Sequence, residues 1–364
     1  MRGKPFAMPH PLPDLKKIPD LPFDTVIDVR SPSEYAEDHV PGAINLPVLT
    51  DGERAEVGTI YVQDSPFRAR KVGAALVAKN AARHLQTTLA DKDGAWQPLV
   101  YCWRGGQRSG SFASILAQIG WRVEVLDGGY RSYRRAVVDY LYHQKLNHRV
   151  VLLDGHTGTA KTEILHAIQA AGGQILDLEG LANHRGSVLG PLPGGQPSQK
   201  GFETAIAMQL AKVNSAYPLF IEAESSKVGE RLVPPALWSA IRSAPRIRLM
   251  APVAQRARYQ AQAYRDLSET PETLTELLSK LLPYVGRARL EEWDDLIAER
   301  QFTPLAQSLI EHHYDARYAK SGTGAAHLET LQVDLDPAGI TAAAQRVMAS
   351  ADHLDATGLS AQSG

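Results

Sequence analysis

The sequence predicts two α/β units in tandem, each built on a parallel sheet, the second with a helical insertion before its last strand. Short apolar runs that read as buried strands, such as Pro98–Tyr101 and Arg149–Asp154, alternate with stretches of helical spacing. Two of these runs feed directly into glycine-rich turns that open helices, one at Cys102 and one at Gly155. The chain of 364 residues accommodates two or three domains at about 150 residues each.

In chain order, Thr25–Val29 reads as a short buried strand, followed by a Ser-Pro-Ser turn and a helix over Glu34–His39. Val40-Pro41-Gly42 breaks that helix, and a strand restarts at Ala43. Gly73–Leu89 has helical spacing, and Pro98–Tyr101 is a second strand. Ser109–Ile119 then reads as helix, Val123–Leu126 as strand and Tyr130–Leu141 as helix. In the second unit, strands fall at Arg149–Asp154, Gln174–Leu178, Tyr217–Glu222, Arg246–Met250 and Leu331–Leu335. A helix covers Lys161–Ala171, and a long helical stretch spans about 252–318. Gly190–Lys200 lacks periodicity and reads as a functional or mobile loop. The domain boundaries expected are 1–142 and 146–350, with a small, polar tail at 351–364 that reads as disordered.

Lys and Arg total 39 against 40 Asp and Glu, a formal net charge of −1. A strongly basic nucleic-acid coat is excluded, so any RNA contact falls to local patches. No apolar run has the length of a membrane span, and the first 20 residues hold five prolines without a signal-type apolar core. A cytoplasmic protein with no membrane partner is expected. One cysteine excludes intramolecular disulfides and zinc sites of several thiolates. The 12 histidines are scattered, and the adjacent pair His312-His313 reads as a solvated helix end.

Chemistry concentrates in two loops. At Tyr101-Cys102-Trp103-Arg104-Gly105-Gly106-Gln107-Arg108-Ser109 a strand ends in the cysteine, a glycine pair follows, and Arg108 opens a helix. Gly105, Gly106 and Gln107 let successive N–H groups converge as an anion nest, while Arg104 and Arg108 add full charges. Such a field lowers a thiol pKa, which a sulfur nucleophile requires.

At Gly155-His156-Thr157-Gly158-Thr159-Ala160-Lys161-Thr162 a strand, a loop and a helix follow in the order a phosphate-binding loop needs. Gly155, Thr157, Gly158, Thr159 and Ala160 supply the backbone cradle, Lys161 a point charge and Thr162 a candidate Mg2+ ligand. Ala160 stands where glycine is usual, and helical dihedrals are expected to accommodate it. Glu222, at the end of an apolar strand, and Glu224 are candidate acids near metal or water. Lys227–Arg258 contains Lys227, Arg231, Arg242, Arg246, Arg248, Arg256 and Arg258 against one acid, Glu230. That local excess makes Arg242, Arg246, Arg248, Arg256 and Arg258, together with Arg185 and Lys200, candidate phosphate or RNA contacts.

Together with Asp28-Val29-Arg30, Glu34-Tyr35 and His39–Asn45, the cysteine loop resembles a rhodanese domain over about residues 14–140. The resemblance implies that Cys102 carries sulfur or selenium. Five residues separate Cys102 from Arg108, where sulfur-transferring rhodaneses usually have four. The wider loop is similar to those of rhodanese-fold phosphatases and arsenate reductases and implies a tetrahedral oxyanion donor. Fusion to an NTPase-like P-loop unit carrying Ala182–Ser187, Gln196–Lys200 and Phe220–Ser225 resembles the tRNA 2-selenouridine synthase family. That resemblance implies a transferase that replaces the sulfur of wobble 2-thiouridine in a tRNA anticodon loop with selenium. It also implies selenophosphate and geranyl diphosphate as substrates, a geranylated thiouridine intermediate and no tightly bound cofactor. A selenophosphate-producing enzyme becomes a candidate partner. The rival readings are a small-molecule phosphotransferase with a regulatory rhodanese domain and a noncatalytic tRNA-binding or sulfur-relay module.

Overall fold

Five short strands build the first sheet: β1 (Met8–His10), β2 (Thr25–Asp28), β3 (Ile44–Asn45), β4 (Pro98–Tyr101) and β5 (Glu124–Leu126). Their order is β1-β5-β4-β2-β3 and all four pairings are parallel. Central β4 is buried along its whole length, which explains its continuous apolar run rather than an alternating pattern. The helices Pro66–Gln86 and Gln107–Ile119 pack Val77, Ala81, Phe112 and Leu116 into the core that includes Val100. The computed structural model describes residues 8–104, 106–187, 189–223, 225–320 and 327–356.

Register sets Asp28 beside Tyr101, one residue before Cys102. Asp28 and Arg30 are both fully buried, with Arg30 Nη2 2.6 Å from Asp28 Oδ2. The same Nη2 donates to the Asp38 carbonyl at 2.6 Å. The guanidinium carbon stands 3.8 Å from the Tyr130 ring centroid. Tyr130 Oη in turn donates to Asp38 Oδ2 at 2.7 Å.

Helix Gln199–Lys212 falls inside the expected 146–350 segment but packs with the first unit, which comprises residues up to Gln144 and Pro197–Lys212. Thr204 donates to Asp38 Oδ2 at 3.0 Å, and Glu203 pairs with Arg134. Polar contacts distant in sequence thus decide the division. The structure also adds helix Asp51–Gln63, absent from the sequence reading because none of its residues is buried. Reciprocal bonds between Thr50 and Glu53 cap it, at 3.2 and 2.8 Å.

The second unit holds β6 (Arg149–Gly155), β7 (Gln174–Leu176), β8 (Pro218–Glu222), β11 (Arg246–Met250) and β12 (His327–Gln332), with a small hairpin of β9 (Lys227–Val228) and β10 (Arg231–Leu232). The sheet order is β12-β11-β6-β8-β7, again all parallel. The last strand begins four residues earlier than the expected Leu331 because polar His327, Glu329 and Thr330 pair with β11 across a register shift. The helices Lys161–Ala170 and Pro337–Ala356 cover it, burying Ile164, Leu165, Ile168 and Val347. Seven α-helical segments fill the insertion, with fully buried Trp293 donating to Ser308 Oγ at 2.9 Å.

Three local expectations are corrected. The helix runs through Ala356, so 351–356 is ordered helix, while 357–364 lies outside the described residues. His313 is buried against Tyr314, ring centroids 5.0 Å apart, and is not a solvated end. Gly190–Lys200 is tied down by a bridge between His184 and Pro191, and its last residues begin a helix. Among the described residues no helix is long and apolar enough to cross a membrane.

Arg30→Ala would leave Asp28 buried without its partner. A loss of about 3–5 kcal/mol is expected, measured as a lowered urea midpoint.

Candidate functional site

In the first unit, β4 delivers Cys102 into a turn that ends at the start of helix Gln107–Ile119. The N–H groups of Tyr130 and Arg131 hold the carbonyls of Cys102 and Trp103, each at 2.9 Å. Cys102 is 4% exposed. Burial pushes its pKa up, but the Ser109 hydroxyl, the N–H groups of Ser109 and Arg104 and the charge of Arg108 outweigh it. The net direction is below the ordinary thiol value. Ser109 Oγ lies 3.2 Å from Sγ. Cys102 is therefore a buried thiol whose pKa is held below the ordinary value.

Arg108 does not carry an unshared charge. Its Nη1 is 2.7 Å from Glu34 Oε2, which Arg54 Nε also approaches at 3.1 Å. Burial pushes the Glu34 carboxyl up, yet these arginines and the Ser31 N–H hold it below its usual range. Arg104 is exposed, and Gly106 and Gln107 form the turn into the helix. Gly105, expected in the anion nest, lies outside the described residues.

The second unit places the phosphate-loop residues between β6 and helix Lys161–Ala170. Lys161 Nζ donates to the Gly155 carbonyl at 3.0 Å, and Thr159 Oγ1 to the His156 carbonyl at 2.8 Å. Thr162 Oγ1 donates to Glu222 Oε2 at 3.0 Å and lies 3.4 Å from Glu179 Oε2. Glu222 is fully buried, while Glu224 lies outside the described residues. Glu179 carried no signal in the sequence. These three oxygen-bearing side chains are the donor set a hard cation would use. Ala160 is left-handed, φ 55° and ψ 35°, not helical as expected. The turn that aims the loop demands that conformation, which usually selects glycine.

Arg256, 3% exposed, is bound at Nη2 to Asp315 Oδ2 at 2.6 Å and at Nη1 to the Thr157 carbonyl at 3.1 Å. It braces the loop from outside. His156 Nδ1 also meets Asp315, at 2.7 Å. The other basic candidates disperse. Arg246 and Arg248 alternate with buried Ile247 and Leu249 on β11; Arg242 and Arg258 are exposed on two different helices. Arg185 binds Asp266 at 2.9 Å, and Lys200, in the first unit, binds Glu37 at 2.7 Å. Sequence clustering did not become one basic patch.

A rhodanese-like thiol loop and a phosphate-binding loop thus coexist in one chain. The family model for the tRNA 2-selenouridine synthase AAA domain matches residues 148–329, and that for the rhodanese-like domain matches 12–136. The tRNA 2-selenouridine synthase of Hahella chejuensis is 36% identical over 81% of this chain and 84% of its own length. Those of Nitrosomonas europaea and Aeromonas salmonicida are 34% and 36% identical, over 66% and 67% of this chain and 62% and 65% of theirs. The chain belongs to the tRNA 2-selenouridine synthase family.

Two outcomes follow from the loops. Ser109→Ala should raise the pH at which thiolate absorbance near 240 nm appears, since Cys102 loses its closest donor while burial stays. Ala160→Gly should be neutral or stabilising by up to about 1 kcal/mol, read from thermal unfolding.

Proposed function

We propose that the chain replaces the sulfur of 2-thiouridine at a tRNA wobble position with selenium, through a geranylated intermediate. The observation that carries this reading is a thiol with a lowered pKa in one unit and, in the other, a loop whose lysine can neutralise a leaving diphosphate. In the first step the thiouridine sulfur attacks C1 of geranyl diphosphate, the C–O bond breaks and pyrophosphate leaves. Lys161 and the loop N–H groups stabilise the charge that develops on that leaving group. In the second, selenium from selenophosphate enters at C2 and the alkylated sulfur departs as geranyl thiol. Alkylation lowers the barrier because a bare thiocarbonyl sulfur is a poor leaving group.

In the selenium step the Cys102 thiolate attacks the phosphorus of selenophosphate, the P–Se bond breaks, selenide leaves to attack C2, and water then cleaves the phosphocysteine to phosphate. The N–H of Arg104 lies on the thiol side, and its exposed guanidinium is available to the selenophosphate oxyanion. Thr162, Glu222 and Glu179 would hold Mg2+ on the diphosphate, where the metal supplies additional charge neutralisation. A wobble base is accessible to such chemistry because it lies in a single-stranded loop. The location we propose is the cytoplasm, where charged tRNA pools reside. The phosphotransferase reading would use Arg256 and Arg258 as lid arginines; Arg256 is instead bound to Asp315 and the Thr157 carbonyl, while Arg258 is exposed.

Mass spectrometry of tRNA nucleosides tests the division of labour. Cys102→Ser should abolish selenium incorporation and leave geranylation largely intact; equal loss of both in a folded protein refutes it. Lys161→Ala should remove geranyl transfer by at least about tenfold, and a near-normal rate would show that the loop binds something else.

A further inference from the structure

The second unit contains an open cavity of about 630 Å3 whose lining includes Asn183, His184, Gln196, Lys227, Glu230 and Lys280. That volume lies in the range of small-molecule and nucleotide sites. Helix Leu178–Ala182 links it to the loop chemistry: Glu179 meets Thr162 and Glu222, and Asn183 and His184 follow directly. The cavity therefore opens next to the end of β8, at the carboxyl edge of the parallel sheet where α/β proteins bind ligands.

Its walls are fixed by polar side chains already committed to backbone. Gln196 Nε2 donates to the carbonyls of Ala182 and Val228, at 3.1 and 3.0 Å, while Oε1 accepts from Glu230 N–H at 2.6 Å. Asn183 Nδ2 donates to Pro193 and Gly195, both at 2.9 Å. Neither amide nitrogen is spare for a ligand.

His184 differs. It is 8% exposed and held on three sides. Gly186 N–H donates to Nδ1 at 3.0 Å. A Cβ on Gly190 would fall 2.3 Å from its Cε1, and one on Gly229 2.7 Å from its Cδ2. Burial pushes the imidazole pKa down, so the ring is neutral near pH 7. With Nδ1 accepting, the proton sits on Nε2. The edge left toward the cavity is an N–H donor in a fixed place. Lys227 and Lys280, both exposed, bring positive charge to the rim, where Glu230 is the one carboxylate among the described lining residues.

We propose that this cavity seats the wobble nucleoside, with His184 Nε2–H donating to a base carbonyl and Lys227 and Lys280 taking the flanking phosphates. The inference rests on the tRNA reading above and assigns its recognition site. A fixed donor accepts uridine, which presents O4, and rejects cytidine, which presents an amino group at the same position. The His184 ring then acts as a specificity residue and takes no part in bond making.

The test uses the full-length protein and anticodon stem-loop RNAs. Carrying 4-thiouridine at the wobble position, such an RNA irradiated at long wavelength should crosslink to peptides within 183–196 or 225–230. The wild type should prefer a 2-thiouridine stem-loop over its 2-thiocytidine counterpart by roughly tenfold or more. His184→Ala should erase that preference while the KM for geranyl diphosphate stays unchanged. Lys280→Ala, on an exposed side chain, should reduce the log-affinity against log-salt slope by about one unit. Crosslinks mapping outside these segments, or an undiminished base preference in folded His184→Ala, would overturn the assignment. A wild type that binds and modifies no stem-loop would instead overturn the tRNA reading on which it rests.

Discussion

The first unit depends on a guanidinium with no access to water. Arg30 is enclosed by Asp28, the Asp38 carbonyl and the face of Tyr130, and each partner holds something else. Asp28 stands in register with the end of the strand that delivers Cys102. Tyr130 donates its hydroxyl to Asp38 and its N–H to the Cys102 carbonyl. Asp38 is joined by Thr204 from a helix more than 160 residues away. A buried charge paired through its Nε and Nη2 with Asp28 and the Asp38 carbonyl thus links the thiol loop and a remote helix in one network.

The second unit solves a related problem with charge outside the loop rather than beneath it. The phosphate loop takes a left-handed alanine without glycine's freedom, and the conformation is sustained by neighbours. Arg256 clamps the Thr157 carbonyl while Asp315 neutralises the guanidinium and engages His156. Asp315 lies in the helical insertion, so the insertion is tied to the loop's geometry. Removing charge from Arg256 would release a carbonyl and a carboxylate together, which makes it a positioning residue despite its sequence resemblance to a phosphate ligand.

The parallel order of both sheets and the place of both loops were legible because local signals coincide there: a buried apolar run, a glycine-rich turn and a helix start. Pro98–Tyr101 and Arg246–Met250 fall where the periodicity puts them. Helix Asp51–Gln63 was not legible, because it buries nothing and is written in capping bonds and packing against its neighbour. Glu34 had a local meaning as a helix-capping acid at Ser31, but its pairing with Arg108 spans 74 positions and no local pattern encodes it. Glu179 and Asp315 escaped for the same reason. Ala160 was misjudged because residue type alone indicates tolerance, while the turn fixes the sign of φ.

The two loops also differ in how much charge they can offer a ligand. Around Cys102, Arg108 and Arg54 both face the single carboxylate of Glu34, which leaves about one net positive charge. The exposed Arg104 is a nearby guanidinium outside that pairing with Glu34. Backbone N–H groups stabilise an entering oxyanion without presenting a counter-ion that would compete with the thiolate for it. In the phosphate loop the reverse holds: Lys161 is bound to a neutral carbonyl at 3.0 Å, so its full charge remains for a leaving group. One loop lowers a thiol pKa and the other leaves a lysine charge facing only a neutral carbonyl, the two electrostatic settings that the alkylation and selenium steps proposed above would use.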